Sequence, residues 1–166
     1  MLEWNLLTIL AIVSACISLY VLSQSMFQGP AKGLDQRMQE FAKQAVELAQ
    51  SEYHARLDYS LESIAIVDQI LEKLHRNHLD TAIPERELSR IVLTWGGYLG
   101  TVLKKQRGGH WEADSPTSGN HTYPLFCQKR EAVPVMWCLQ RIRRGDSARV
   151  DTKTKEFLAT IDGDSV

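Results

Sequence analysis

The side chains able to do chemistry are few and widely spaced. His75 and His78 stand three positions apart, a spacing at which a helix presents two imidazoles on one face. No further ligands accompany them at zinc-site spacing, so the expectation is two surface histidines favoured by the negative end of a helix dipole. His110, His121, Cys127 and Cys138 offer the donor types of a zinc site, but their intervals match no close-set ligand pair. Core or loop roles are expected for all four, and no metal or other cofactor. The chain carries no phosphate loop, nucleophile elbow, HExxH helix or paired-carboxylate pattern, so no catalytic residue is singled out and no enzyme is expected.

Side chains that could meet a partner are easier to name. The net charge is −1, and no nucleic-acid partner is expected, yet the charge is unevenly spread. Residues 31–94 hold eight basic and eleven acidic side chains, and residues 95–155 hold eleven basic and five acidic. Lys104, Lys105 and Arg107 close one apolar stripe, and Arg141, Arg143 and Arg144 close another. Basic residues at helix ends complement the dipole. Joined into one patch they would face a protein or anionic lipid headgroups. Tyr98 and Trp111 are the aromatic anchors expected to contact a protein partner.

The elements that must position these residues follow from apolar spacing. Residues 6–22, LLTILAIVSACISLYVL, are uncharged and with their flanks reach the roughly 20 residues a membrane-spanning helix needs. A secretory signal would begin with a positive region, whereas Glu3 is the one charged side chain there. Val13-Ser14-Ala15-Cys16 matches a lipoprotein processing box, but the chain stays apolar beyond it. Lys32, Arg37 and Lys43 follow the run and no Lys or Arg precedes it. The expectation is a single-pass inner-membrane protein with its C-terminal domain in the cytoplasm, a periplasmic domain being the alternative. Cys127 and Cys138, eleven positions apart without a dense framework around them, agree with a reducing compartment.

The organisation read from sequence is a transmembrane anchor at 1–27, a linker at 28–33, a soluble domain at 34–161 and a tail at 162–166. Within the domain, Leu34, Met38, Phe41, Ala45 and Leu48 alternate at spacings of four and three. They predict a helix over 34–53 whose seam packs on its own domain or, as a second choice, on a second copy. Asp58 or Ser60 is placed to cap a helix with the stripe Leu61, Ile64, Val67, Leu71 and Leu74, and Asp68 beside it is expected at a domain edge. Pro84 opens a long helix through Leu88, Val92, Trp95, Leu99 and Leu103. That helix contains Gly96, Gly97 and Gly100, each about 1 kcal/mol worse than alanine in a helix, which points to a close neighbour. Gly108-Gly109 ends it. A β-hairpin should join His110-Trp111-Glu112 to residues 123–127, with Pro124 placing the second strand at an edge. Pro134 starts a helix ending near Gly145, and residues 151–161 make a last short one. The fold class expected is therefore α+β, mostly helical: one transmembrane helix, then four to five helices and a small β-hairpin.

Several separated motifs recur in an order that resembles a widespread group of small uncharacterised bacterial domains. They are the Asp58-Tyr59-Ser60-Leu61-Glu62-Ser63 helix start, Tyr98-Leu99-Gly100 leading to Gly108-Gly109-His110-Trp111, and Gln140-Arg141-Ile142 where that group has Lys-Arg-Ile. The resemblance spans roughly residues 57–147. It implies an α+β domain without assigned catalysis, some members of which look like toxin-neutralising immunity proteins. The resulting expectation is a membrane-anchored, non-catalytic protein-interaction domain, possible roles being an immunity protein or a structural or regulatory subunit of a membrane complex. An enzyme whose site is assembled only by the fold is the third alternative.

Overall fold

In the computed structural model, which describes residues 33–163, helix α1 (Leu34–Tyr53) turns a stripe of Met38, Ala42, Ala45 and Ala49 inward. Three of the four are alanines, so α1 can lie close to its neighbour. That neighbour is α3 (Glu85–Arg107), and theirs is the most extensive contact between elements. Gly97 of α3 meets the α1 backbone: a Cβ there would stand 2.8 Å from the Met38 carbonyl oxygen and from Phe41 Cβ. Gly96 faces the other way, where a Cβ would come within 2.6 Å of Val135 Cα. Adjacent glycines thus let α3 be clasped from two sides, by α1 and by α4 (Pro134–Arg144).

Helix α2 (Ser63–Asp80) buries Ile64, Val67, Ile70, Leu71 and Leu74 and packs on α4 and on α5 (Val150–Gly163). Its entry is fixed locally. Ser60 Oγ accepts the Ser63 N–H (3.2 Å) and Asp58 Oδ1 accepts the Ser60 N–H (3.0 Å), which satisfies donors a helix start leaves open. A 3₁₀ turn, Gly145–Ala148, links α4 to α5. Gly145 there has φ 61°, and a Cβ would meet the His75 ring at 2.7 Å, so both backbone and space favour glycine.

The strands β1 (His110–Trp111), β2 (Leu125–Cys127) and β3 (Arg130–Ala132) form an antiparallel sheet in the order β1-β2-β3. Trp111, Leu125 and Ala132 share a register row and are buried, whereas His110, Phe126 and Glu131 form the outward row. The Trp111 ring rests on Gly100, where a Cβ would stand 2.0 Å from Cζ2.

The fold class expected from sequence needs correction. Among the described residues there are five helices, within the four to five expected for the domain, but the sheet has three strands where a hairpin was expected, and no helix is long and apolar enough to cross a membrane. Residues 6–22, on which the transmembrane expectation fell, lie outside the described residues. The third strand escapes sequence reading because Arg-Glu-Ala has no β-branched residue, and because Gln128, not Gly or Asn, takes the positive φ (56°) of the two-residue turn before it. Strand β2 is central, not an edge strand. Pro124 precedes it, so the missing N–H costs the ladder nothing. The inward stripe of α1 also differs: Ala42 and Ala49 are buried beside Met38 and Ala45, whereas Leu34 and Phe41 are half-buried and Leu48 stays 40% exposed.

Candidate functional site

Three of the expected partner contacts are core residues. Tyr98 is fully buried, Trp111 is buried against Gly100, and Arg141 is 1% exposed. The remaining basic residues do not make one patch. Arg143 bonds Glu85 at the start of α3 (2.9 Å), whereas Lys104 pairs with Asp35 and Arg107 with Asp162 (2.7 Å) at its other end. Glu85 and Lys104 are 19 positions apart on one helix, about 28 Å at 1.5 Å per residue. That is several Debye lengths at physiological salt, so the two groups act separately. Lys105 is exposed with its ammonium 4.2 Å from the centre of the Tyr59 ring, and Arg144 is exposed in the last turn of α4.

Arg141 organises a buried ion cluster. Its Nε and Nη2 donate to the two oxygens of Asp68 (3.1 and 3.2 Å), Nη1 lies 2.8 Å from Glu72 Oε2, and Nη2 is 3.2 Å from Asp146. Asp68 also accepts the Val150 N–H (2.8 Å), capping α5 from inside, and lies 3.4 Å from Arg149. One carboxylate therefore ties α2, α4 and α5 together. Asp68, expected at a domain edge, is 1% exposed because a guanidinium meets it there. Burial pushes the Glu72 carboxyl up, but the Arg76 hydrogen bond and the Arg141 charge outweigh it and hold it below the usual range.

Other polar groups are used in the same way. Tyr98 Oη accepts the Tyr59 N–H (2.9 Å) and shares a 2.7 Å hydrogen bond with Ser63 Oγ. Since Ser63 gives its one hydroxyl proton to the Ser60 carbonyl (2.6 Å), Tyr98 is the donor to Ser63. Both motif segments of the sequence thus meet at one buried junction. Cys127 donates to the Gly108 carbonyl (3.2 Å), and burial pushes both its thiol and that of Cys138 up, away from the reactive thiolate. His75 Nδ1 lies 2.7 Å from the Ile142 carbonyl oxygen, and His78 Nδ1 accepts the Ile83 N–H (3.1 Å); the pair binds backbone, not a common ligand. Glu131 accepts the hydroxyls of Ser115 (2.6 Å), Thr117 (2.8 Å) and Ser118 (3.0 Å), which pins the loop between β1 and β2. Among the described residues no group of three or more His, Cys, Asp or Glu side chains is placed to hold a metal ion.

One of several openings among the described residues is a groove beside the α1/α3 contact. It holds about 330 Å³ and is walled by Gln44, Leu48 and Glu52 of α1 and by Glu87, Ile91 and Trp95 of α3. Asp35 pairs with Lys104 and Met38 faces Gly97, so the two helices run antiparallel. Along the groove Gln44, Leu48 and Glu52 of α1 thus run opposite in direction to Glu87, Ile91 and Trp95 of α3. Its apolar lining is Leu48, Leu74, Ile91, Tyr53 and Trp95, with Tyr53 and Trp95 in an edge-to-face contact at 6.0 Å. An apolar floor under a charged rim is the composition of a helix-binding groove. Sequence reading missed it because no spacing within one helix announces a surface shared by two. The available signal was Leu48, a large apolar residue one position off the alanine stripe.

Comparison of the chain with protein-family models, with curated proteins and with solved structures finds no match in any of the three.

Proposed function

We propose that this chain is a non-catalytic protein-interaction domain that holds an amphipathic helix of a protein partner in the groove between α1 and α3. The observation that carries the reading is a contrast in the use of charge and apolar surface. Four of the six cations first expected to meet a partner, Lys104, Arg107, Arg141 and Arg143, pair within the chain, and Lys105 lies over the Tyr59 ring. Around the groove, Glu52, Glu87 and Arg90 enter no ion pair among the described residues, and Leu48 is 40% exposed. Immunity-type neutralisation of a toxin is the form of binding that the motif resemblance suggests. A location at the inner membrane is supported by the sequence of residues 6–22 alone.

The test is co-purification of the full chain from the cells that make it, beside Leu48→Asp. The wild-type chain should bring down a stoichiometric partner. The variant should lose it while keeping its thermal midpoint, because a surface change off the core costs within about 0.5 kcal/mol. Retention of the partner by Leu48→Asp would refute docking in this groove.

A further inference from the structure

Toward the other end of the α1/α3 pair, where Asp35 meets Lys104, lies another opening of about 360 Å³, lined by Asp35, Gln36 and Gln39 of α1, Thr101 and Lys104 of α3, and Trp111 of β1. We infer that it binds an uncharged amide, as a carboxamide or a peptide unit, whose carbonyl accepts the Trp111 indole N–H and whose own N–H donates to Asp35. Trp111 is 6% exposed, with its ring resting on Gly100, and a buried indole N–H ordinarily finds an acceptor. This one has none among the described residues. Nor is it sealed in: among the described residues, the enclosed side-chain polar atoms that lack a hydrogen bond belong to Glu72, Arg107 and Arg141. The indole nitrogen therefore reaches open space, and this cavity is the opening that Trp111 lines. Lys104 stands four positions after Gly100, so its side chain leaves the same face of α3 one turn, about 5.4 Å, beyond the ring. It pairs with Asp35 Oδ1, which leaves the second carboxylate oxygen to accept a ligand N–H. The exposed carboxamides of Gln36 and Gln39 add donors and acceptors to the wall. Asp35 and Lys104 cancel, so an ion would meet like charge as closely as unlike. An amide, which sets an acceptor beside a donor without net charge, matches the lining and leaves the ion pair intact. A cavity at the small end of the ligand-binding range fits one such unit.

The test reads the indole N–H itself. N-acetylalanine N-methylamide, propionamide, propionate and propylammonium are added in turn to the full chain, and the assigned Trp111 indole resonance is followed in the proton–nitrogen correlation spectrum. The two amides should move it saturably while the Trp95 and Trp137 indoles stay in place, and the two ions should not. Which amide binds more tightly tells a peptide main chain from a free carboxamide. Asp35→Leu, a change at an exposed ion pair that costs the fold little, should weaken amide binding about tenfold through the loss of one charge-assisted hydrogen bond. An unmoved Trp111 resonance, an equal shift with either ion, a shift shared by Trp95 and Trp137, or undiminished amide binding to Asp35→Leu would each overturn the inference.

Discussion

Replacing Asp68 by alanine removes the carboxylate that joins three helices. In the native chain it receives two hydrogen bonds from Arg141, one from the Val150 N–H and the nearby charge of Arg149. Breaking a buried pair by deleting one partner costs about 3–5 kcal/mol, mostly because the other charge is left buried. Glu72 and Asp146 stay beside Arg141, which places the expected cost near the lower end, about 3 kcal/mol. For a domain of this size that lowers the thermal midpoint by about 10–15 °C. The assay is urea and thermal unfolding, followed by circular dichroism, of Asp68→Ala, Arg141→Met and the double variant. Deleting both charges should recover most of the loss, since an apolar pair of similar volume often matches a buried ion pair. Recovery stays incomplete because the Val150 N–H keeps no acceptor. A single variant within about 0.5 kcal/mol of wild type, or a double variant costing the sum of the singles, would refute the hub.

Four further outcomes follow from particular contacts. Gly100→Ala, which places a Cβ 2.0 Å from the Trp111 ring, should destabilise by about 1–3 kcal/mol by overpacking although alanine is the better helix former; an unchanged or higher melting midpoint would contradict this. Tyr98→Phe leaves the Tyr59 N–H without its acceptor and should cost about 1–3 kcal/mol, read by urea unfolding. Glu131→Gln should speed amide exchange at Thr117 and Ser118 without loosening the helices. Acid should act on the same loop: burial pushes the Glu131 carboxyl up from 4.5, but the three hydroxyl hydrogen bonds outweigh it and hold it lower. The loop's stabilisation is then complete above pH 4.5 and is lost as pH falls through the lowered folded value, which loop exchange measured against pH would follow.

Much of the helical frame was legible because α-helical burial leaves a stripe at spacings of three and four. Helix α1 begins and ends where Leu34 to Tyr53 predicts, and Gly108 and Gly145 mark the ends of α3 and α4. Which side of α1 turns inward was not legible. Hydropathy favours Leu48 over Ala42 and Ala49, but close approach to Gly97 favours the smaller residues. The three glycines were rightly read as a sign of close neighbours, and the aromatic residues near them were placed on the wrong side of the surface. Trp111 looked like an exposed anchor, yet the glycine at position 100 is the floor on which its ring lies. Asp68 and Arg141 are 73 positions apart, so neither charge announces the other: Asp68 reads as a domain edge and Arg141 as part of a basic helix end. The groove depends on the antiparallel register of two helices that are separated by α2, which no local pattern encodes.

The central claim is tested most directly by a photo-crosslinking residue at position 48 of the full chain, beside the same residue at position 144, in the cells that make the protein. A single adduct of defined mass is expected from position 48, absent from position 144 and lost when Ile91→Asp is added. No adduct at position 48, or the same adducts from both positions, would contradict docking between α1 and α3.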